Sequence, residues 1–244
     1  MLIEVVSKRV SGDGGPIPYR RTGTAGANIP ANPYVDGLVA WYSAGAEYVT
    51  KDLSDYVSQW NDKSGLGHHF VQATGASQPL WVASAKNGLP GIRFDGSNDC
   101  MVAAFALHQP RTEYWVIKQI TFAEGDPVTG GGGIITAGFG QQGGTPNLIF
   151  GAEVSLAGNG NLAIDTWGVL CGVLNGASSV SRVNNTADVT GNSGSNQPEG
   201  ISLGGWTTVC SNIEVCEGLV YSVAHNATYR SNMMAWLKSM YATP

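Results

Sequence analysis

The sequence predicts an all-β fold: an antiparallel sandwich of two sheets, preceded by an extended N-terminal arm and closed by one short C-terminal helix. Three observations lead there. Apolar runs of four to ten residues recur along the chain, and clusters of Gly, Asn, Asp and Ser separate them. Charged residues make up 13% of the chain, about half the roughly 25% of an average soluble domain, while Gly reaches 34 of 244. Sustained helical periodicity occurs near the C-terminus. Short strands with Gly- and Asn-rich turns are the signature of a sandwich or barrel.

Residues 1–33 form the arm. LIEVV alternates well enough for a short strand, but SGDGGPIPYRRTGTAGANIPANP has almost nothing apolar to bury. Such a segment cannot offset its own ordering entropy and is expected to lie on a partner. Residues 34–244 form the sandwich. Its expected strands include GLVAWYSA, VSQW, PLWVA, GIRF, MVAAF, EYWVIKQITF, GIITAGF, NLIFGAEV, LAIDTW, WGVLCGVL, SVSRVN, GISLGGW and EVCEGLVYSV. The helix spans 226–241. Asn226 can cap it, Tyr229, Met233, Trp236, Leu237, Met240 and Tyr241 recur at helical spacing, and Lys238 suits the C-terminal dipole. That stripe is a docking face for the sandwich.

Composition narrows the partners. The formal net charge is −5, and the adjacent basic pairs are Lys8-Arg9 and Arg20-Arg21, so the basic cluster that nucleic acid requires is missing. No stretch approaches the ~20 apolar residues of a membrane span. MLIEVVSKRV places its basic residues after the apolar run, the reverse of a secretory signal. Cys100, Cys171, Cys210 and Cys216 include no CxxC pair, so a structural zinc site is not expected. Buried thiols are the simpler reading, with a Cys210–Cys216 bridge as the alternative.

The order GLVAWYSAG, VSQWNDKSGLGHHFVQ and PLWVASAKNGLPGIRFDGSNDCMV resembles the laminin-G-like, concanavalin A-type sandwich domains common in phage and bacterial surface proteins. The tail agrees: LGG at 203–205, EVCEGLVYS and the helix ending AWLKSMY resemble the closing strand and short helix of those domains. The resemblance covers about residues 35 to 241 and leaves the arm outside. It implies a two-sheet jelly roll and leaves function open, because the fold serves lectins, glycan-cleaving enzymes and structural modules alike.

Residue chemistry then sorts the functions. Glycan-cleaving relatives of this fold carry acids in an ExDxxE-like pattern, and a retaining pair stands about 5 Å apart on one strand face. Here the nearest run is Glu214-Val215-Cys216-Glu217, whose spacing of three puts the acids on opposite faces of a regular strand, with Glu214 expected solvated and Glu217 expected to face the core or a bulge. HExxH is absent. The expectation is a non-enzymatic protein without a catalytic residue. Asp95 and Asp99 in DGSND could offer Ca²⁺ its oxygens, yet the same residues suit a tight hairpin turn, so no cofactor is expected unless that Ca²⁺ binds. Glycan binding would use an aromatic beside loop amides and acids: Trp206, Trp167 and Tyr48 are the candidates, with Tyr56 of the same kind. In WNDKSGLGHHF, Trp60 and Phe70 are expected in the core. Asp62 and Ser64 should fold back on backbone amides, and His68 and His69 on opposite sides cannot share a metal.

The arm is the remaining signal. Leu2, Ile3, Val5 and Val6 can add a strand to a neighbour's sheet, and Arg20 and Arg21 can pair with acids there. The expectation is a virion structural protein of a tailed phage, a capsid decoration or fibre protein, surface-exposed and assembled in the host cytoplasm. Its partners would be capsid or tail proteins and further copies of itself as a homo-oligomer. The alternative is a lectin-like module for host-surface glycan. Deleting residues 1–33 should abolish attachment and leave the sandwich folded. Co-sedimentation with virions and circular dichroism of the truncated chain check this, and retained attachment contradicts it.

Overall fold

The computed structural model describes residues 37–131, 137–156, 162–206 and 209–244. The arm residues Leu2, Ile3, Val5, Val6, Arg20 and Arg21 lie outside them. The first strands are β1 (Leu38–Ser43), β2 (Val49–Lys51), β3 (Val57–Trp60), β4 (Phe70–Val71), β5 (Leu80–Lys86), β6 (Leu89–Asp95) and β7 (Met101–Ala103). Next come β8 (Arg111–Gln119), β9 (Thr129–Gly130), β10 (Ala137–Gln141), β11 (Leu148–Ala152), β12 (Ser155–Leu156) and β13 (Trp167–Leu174). The chain closes with β14 (Ser179–Val183), β15 (Val189–Gly191), β16 (Ile201–Leu203), β17 (Gly205–Trp206), β18 (Val209–Cys210), β19 (Asn212–Tyr221) and the helix α1 (Ala227–Tyr241).

One sheet runs β15-β14-β13-β8-β19-β6-β5, with β1 also paired to β19. Strands β6 and β1 divide one edge of β19 between them: β6 pairs with Asn212–Val215, and β1 with residues 217–221. The opposing sheet runs β2-β3-β4-β7-β16-β9. The β10-β11-β12 sheet continues it, because Val128 N–H donates to Phe139 O at 2.9 Å and Pro127 bridges Gly140. All the strand pairs are antiparallel, as the alternating runs imply.

Strand β8 shows how the layers stack. Successive side chains of a strand face opposite ways. Trp115 and Ile117 point into the core between the sheets, while Tyr114 and Val116 point into a second core under α1. The helix covers that outer face with Met233, Met234, Leu237 and Tyr241, so the sheet carries burial on both sides. Asn226 caps α1 by accepting the Tyr229 N–H at 2.9 Å, and Ala242 ends it in the left-handed conformation.

Two-sided burial leaves little room where strands cross aromatic rings. A Cβ on Gly218 would sit 2.1 Å from the Trp115 ring, so β19 carries no side chain there. Two charged groups inside the sandwich pair with each other: Arg111 and Glu113 form a fully buried ion pair at 3.1 Å, and Glu113 also accepts from Thr129 Oγ1. Gln119 accepts from Gln141 across the sheets and donates to Leu162 O. All four cysteines are thiols, three of them buried. Burial raises the Cys171 thiol to about 12.

Two expectations about strands change. LAIDTW was expected as a strand, but residues 164–165 form a turn, with Asp165 at φ 58° and its N–H bonded to Gln119 O. Strand β8 starts at Arg111, two residues early, because Glu113 neutralises the arginine inside the core.

Candidate functional site

WNDKSGLGHHF folds as a turn organised by one carboxylate. Asp62 accepts from Trp41 N, Ser64 N, Ser64 Oγ and His68 N, at 2.7 to 3.1 Å. Trp60 and Phe70 flank it in the core, and Gly65 and Gly67 take positive φ. Each histidine is tied to the backbone: His68 Nδ1 lies 2.7 Å from Val39 O, and His69 Nδ1 accepts the Asp62 N–H. The stretch binds β1 to β3.

DGSND folds the same way. Asp95 Oδ1 accepts from Ser97 and Asn98 N–H groups, and Asp99 Oδ2 accepts from Asp95 N at 3.0 Å. The described residues contain no group of three or more His, Cys, Asp or Glu side chains arranged to hold a metal. Asp95 and Asp99 thus sit together as a two-carboxylate turn, with their oxygens engaged by the backbone.

The acids of β19 depart from expectation. A bulge between Val215 and Glu217 inserts Cys216 into the register, which turns Glu214 and Glu217 to the same face of the sheet. Glu214 is not solvated: it is 5% exposed and pairs with Lys118 Nζ at 2.8 Å. Glu217 is buried beneath α1, accepting from the Trp41 indole N–H and, at 2.5 Å, from the Tyr241 hydroxyl. Burial holds its carboxyl above the usual range, opposed by those donors. The two acids fasten the helix and the strand edge in place.

The aromatic candidates separate by exposure. Trp167 is 7% exposed, with Lys118 Nζ 5.3 Å from its ring centroid, which removes it as an open platform. Tyr48 is half-buried, and Lys63 Nζ lies between its ring and that of Trp41, at 4.9 and 4.1 Å. Lys63 had no signal in the sequence pattern. The Trp206 side chain lies outside the described residues. Tyr56 is 46% exposed.

The loop that presents Tyr56 is built to hold still. Asp52 Oδ1 accepts from Ser54 N at 2.8 Å and Tyr56 N at 2.9 Å, and Asp55 takes φ 69°, a left-handed value that Asp tolerates. Trp81 N–H donates to Asp55 O, Val57 N–H to Pro79 O, and Tyr56 bridges Leu80, so the loop is zipped to the start of β5. The same loop and the start of β5 carry exposed Leu53 and Leu80, the Lys51–Asp55 pair, and Trp81 with Lys51 Nζ 4.7 Å from its centroid. An amphipathic ring beside carboxylates and an ammonium can stack on an apolar sugar face while its neighbours bond hydroxyls.

No protein-family model and no curated protein matches the sequence. Solved structures do match. Trypanosoma rangeli sialidase aligns with TM-score 0.58 at 16% identity, over 89% of this chain and 35% of the sialidase. The chain thus spans about a third of the length of the sialidase it matches. Domain 4 of AbnA, a GH43 extracellular arabinanase from Geobacillus stearothermophilus, in complex with arabinotriose, aligns with TM-score 0.55 at 14% identity, over 81% of this chain and 98% of that one. A GH54 α-L-arabinofuranosidase aligns with TM-score 0.57 at 12% identity, over 77% and 51%. The chain shares the β-sandwich fold of these proteins, and identities this low carry the fold alone.

The expectation of a non-enzymatic protein is corrected by these matches, since the similar structures include a sialidase and an arabinofuranosidase. The sequence reading that put Glu214 and Glu217 on opposite faces is corrected as well, because the bulge at Cys216 brings them to one face.

Asp99 supplies a test of the hairpin. Burial and the neighbouring Asp95 charge push its carboxyl up to about 6, against the Asp95 N–H bond, which pulls it down. The unfolded value is about 3.9. The fold therefore binds this proton more tightly, and its stabilisation is full below pH ~3.9 and lost as pH rises through about 6. Asp99→Asn keeps an acceptor for Asp95 N–H without the charge. Its Tm relative to wild type should rise from about pH 4 to about pH 6.5 and then level off. Thermal melts with EDTA check this, and a difference independent of pH contradicts it. If Ca²⁺ used the pair, added calcium would raise the wild-type Tm at neutral pH and leave Asp99→Asn unmoved.

Proposed function

We propose that this sandwich is a carbohydrate-binding domain that takes a saccharide at the rim formed by residues 51–56 and the start of β5. The observation that carries the reading is the Tyr56 ring, open to solvent on a loop pinned by Asp52 and by β5. A ring held before the ligand arrives costs little ordering entropy on binding. Carboxylates at Asp52 and Asp55 and the Lys51 ammonium provide polar partners around it. The match to AbnA domain 4 supports the reading, because that whole domain aligns and its structure is a complex with arabinotriose.

A second reading, a virion component held by its arm, is favoured by the low apolar content of residues 1–33 and is tested by the deletion above. The two are compatible, since a glycan-binding sandwich on a virion needs an attachment segment.

A broad glycan array, followed by titration calorimetry of the strongest ligand, tests the first reading. Tyr56→Ala should weaken that ligand by about tenfold or more while leaving Tm close to wild type, since the ring is exposed and removes an anchor of the interface. An empty array, or unchanged affinity in Tyr56→Ala, contradicts it.

A further inference from the structure

A recess lies between α1 and the turn that follows β14. It encloses roughly 280 Å³, and its lining includes Arg182, Asn184, Asn185, Ser231, Met234 and Lys238. Its walls are well fixed. Asn184 Oδ1 accepts the Val169 N–H at 2.8 Å, and its own N–H returns to Val169 O at 2.8 Å. Arg182 Nη1 donates to Ser231 Oγ at 3.2 Å, which ties the strand to the helix. Lys238 Nζ donates to Asn185 Oδ1 at 2.5 Å.

The charge here does not balance. Arg182 and Lys238 are the charged residues of the lining, and Asp188, which is not in the lining, pairs with Arg182 and with Arg230. Arg230 holds Asp188 closely, leaving Arg182 at 3.8 Å from it. Among the described residues, no carboxylate forms an ion pair with Lys238. Partial burial lowers the Lys238 ammonium, and the Arg182 charge acts in the same direction. The Arg182 Nε–H is buried without a hydrogen-bond partner. A local positive excess on a chain of net charge −5 therefore lines a recess equipped with donors.

We propose that this recess binds a carboxylate carried on a ligand the size of one sugar, a uronic acid unit. Arg182 and Lys238 meet the carboxylate, since guanidinium and ammonium groups form the strongest hydrogen bonds to such anions. Asn185 and Ser231 meet hydroxyls, and the Met234 side chain meets the C–H face of the ring. The volume fits this scale, lying just below the ~300–1,000 Å³ of sites for drug-sized ligands. The inference draws only the sugar from the carbohydrate-binding reading; the anion requirement rests on the charge excess.

Saturation-transfer NMR and calorimetry with glucuronate, glucose and inorganic sulfate test it on the full-length chain. Glucuronate should bind, glucose should not, and binding should weaken with added NaCl. Lys238→Gln should weaken glucuronate by about tenfold or more, the loss of one charge-assisted hydrogen bond, with an unchanged circular dichroism spectrum. Tyr56→Ala should leave glucuronate binding intact, which separates this site from the rim: an empty glycan array with retained glucuronate binding sinks the rim and keeps the recess. Glucose binding as tight as glucuronate, or Lys238→Gln indistinguishable from wild type, overturns the proposal. Sulfate binding as tight as glucuronate overturns the sugar assignment.

Discussion

The rest of this structure depends on β8 and β19 being buried on both faces. They run side by side through the larger sheet, with the second sheet beneath and α1 above. A strand in that position has no solvent side on which to put a polar residue, so each one needs a partner inside the protein. Arg111 therefore finds Glu113, Gln119 finds Gln141, and Tyr114 reaches His225 Nδ1 at 2.8 Å. His225 is held neutral by the same burial, which lowers it to about 4, with the Arg230 charge acting in the same direction. The bulge at Cys216 belongs to this pattern. It turns Glu217 toward α1, where the Trp41 indole and the Tyr241 hydroxyl satisfy it, and leaves Gly218 facing Trp115.

Once the centre is committed to packing, recognition is left to the margins. The loop at 52–56 and the recess beside α1 both sit where one layer meets another, and both are rigid for the same reason. Backbone hydrogen bonds to β5 fix the first. Asn184 bonded to β13 and Arg182 bonded to the helix fix the second. Asp62, the busiest carboxylate near the surface, is spent on backbone amides and so contributes architecture rather than recognition. The two margins differ in character. The rim offers an open aromatic ring with carboxylates, and the recess offers cations with side-chain amides.

Much of the architecture was legible because it follows from local chemistry. VSQW and WGVLCGVL are strands at the expected residues, Asn226 caps the helix, and the Asp62 turn folds on its own amides. The aromatic–Met stripe of α1 docks as its spacing implies. What was not legible depends on distant partners. Nothing near Trp167 in sequence reveals that Lys118 and the outer core cover it. A period-two reading places Glu214 and Glu217 apart, because a bulge is set by pairing with β8 rather than by the strand itself. Arg182 and Lys238 are more than 50 residues apart and become neighbours only when α1 lies on the sheet. Exposure and the Lys63 ammonium over the Tyr48 ring distinguish Tyr56 from Tyr48, and both are properties of the packed molecule.

The most direct test is to map a saccharide onto the backbone. Isotope-labelled protein would be titrated with the oligosaccharide that binds tightest, and amide chemical shifts followed to saturation. The account predicts shifts concentrated at Lys51–Tyr56 and Trp81, with the Asp62 turn and β19 unmoved. Shifts confined to other surfaces, or a spectrum that no saccharide perturbs, would contradict it.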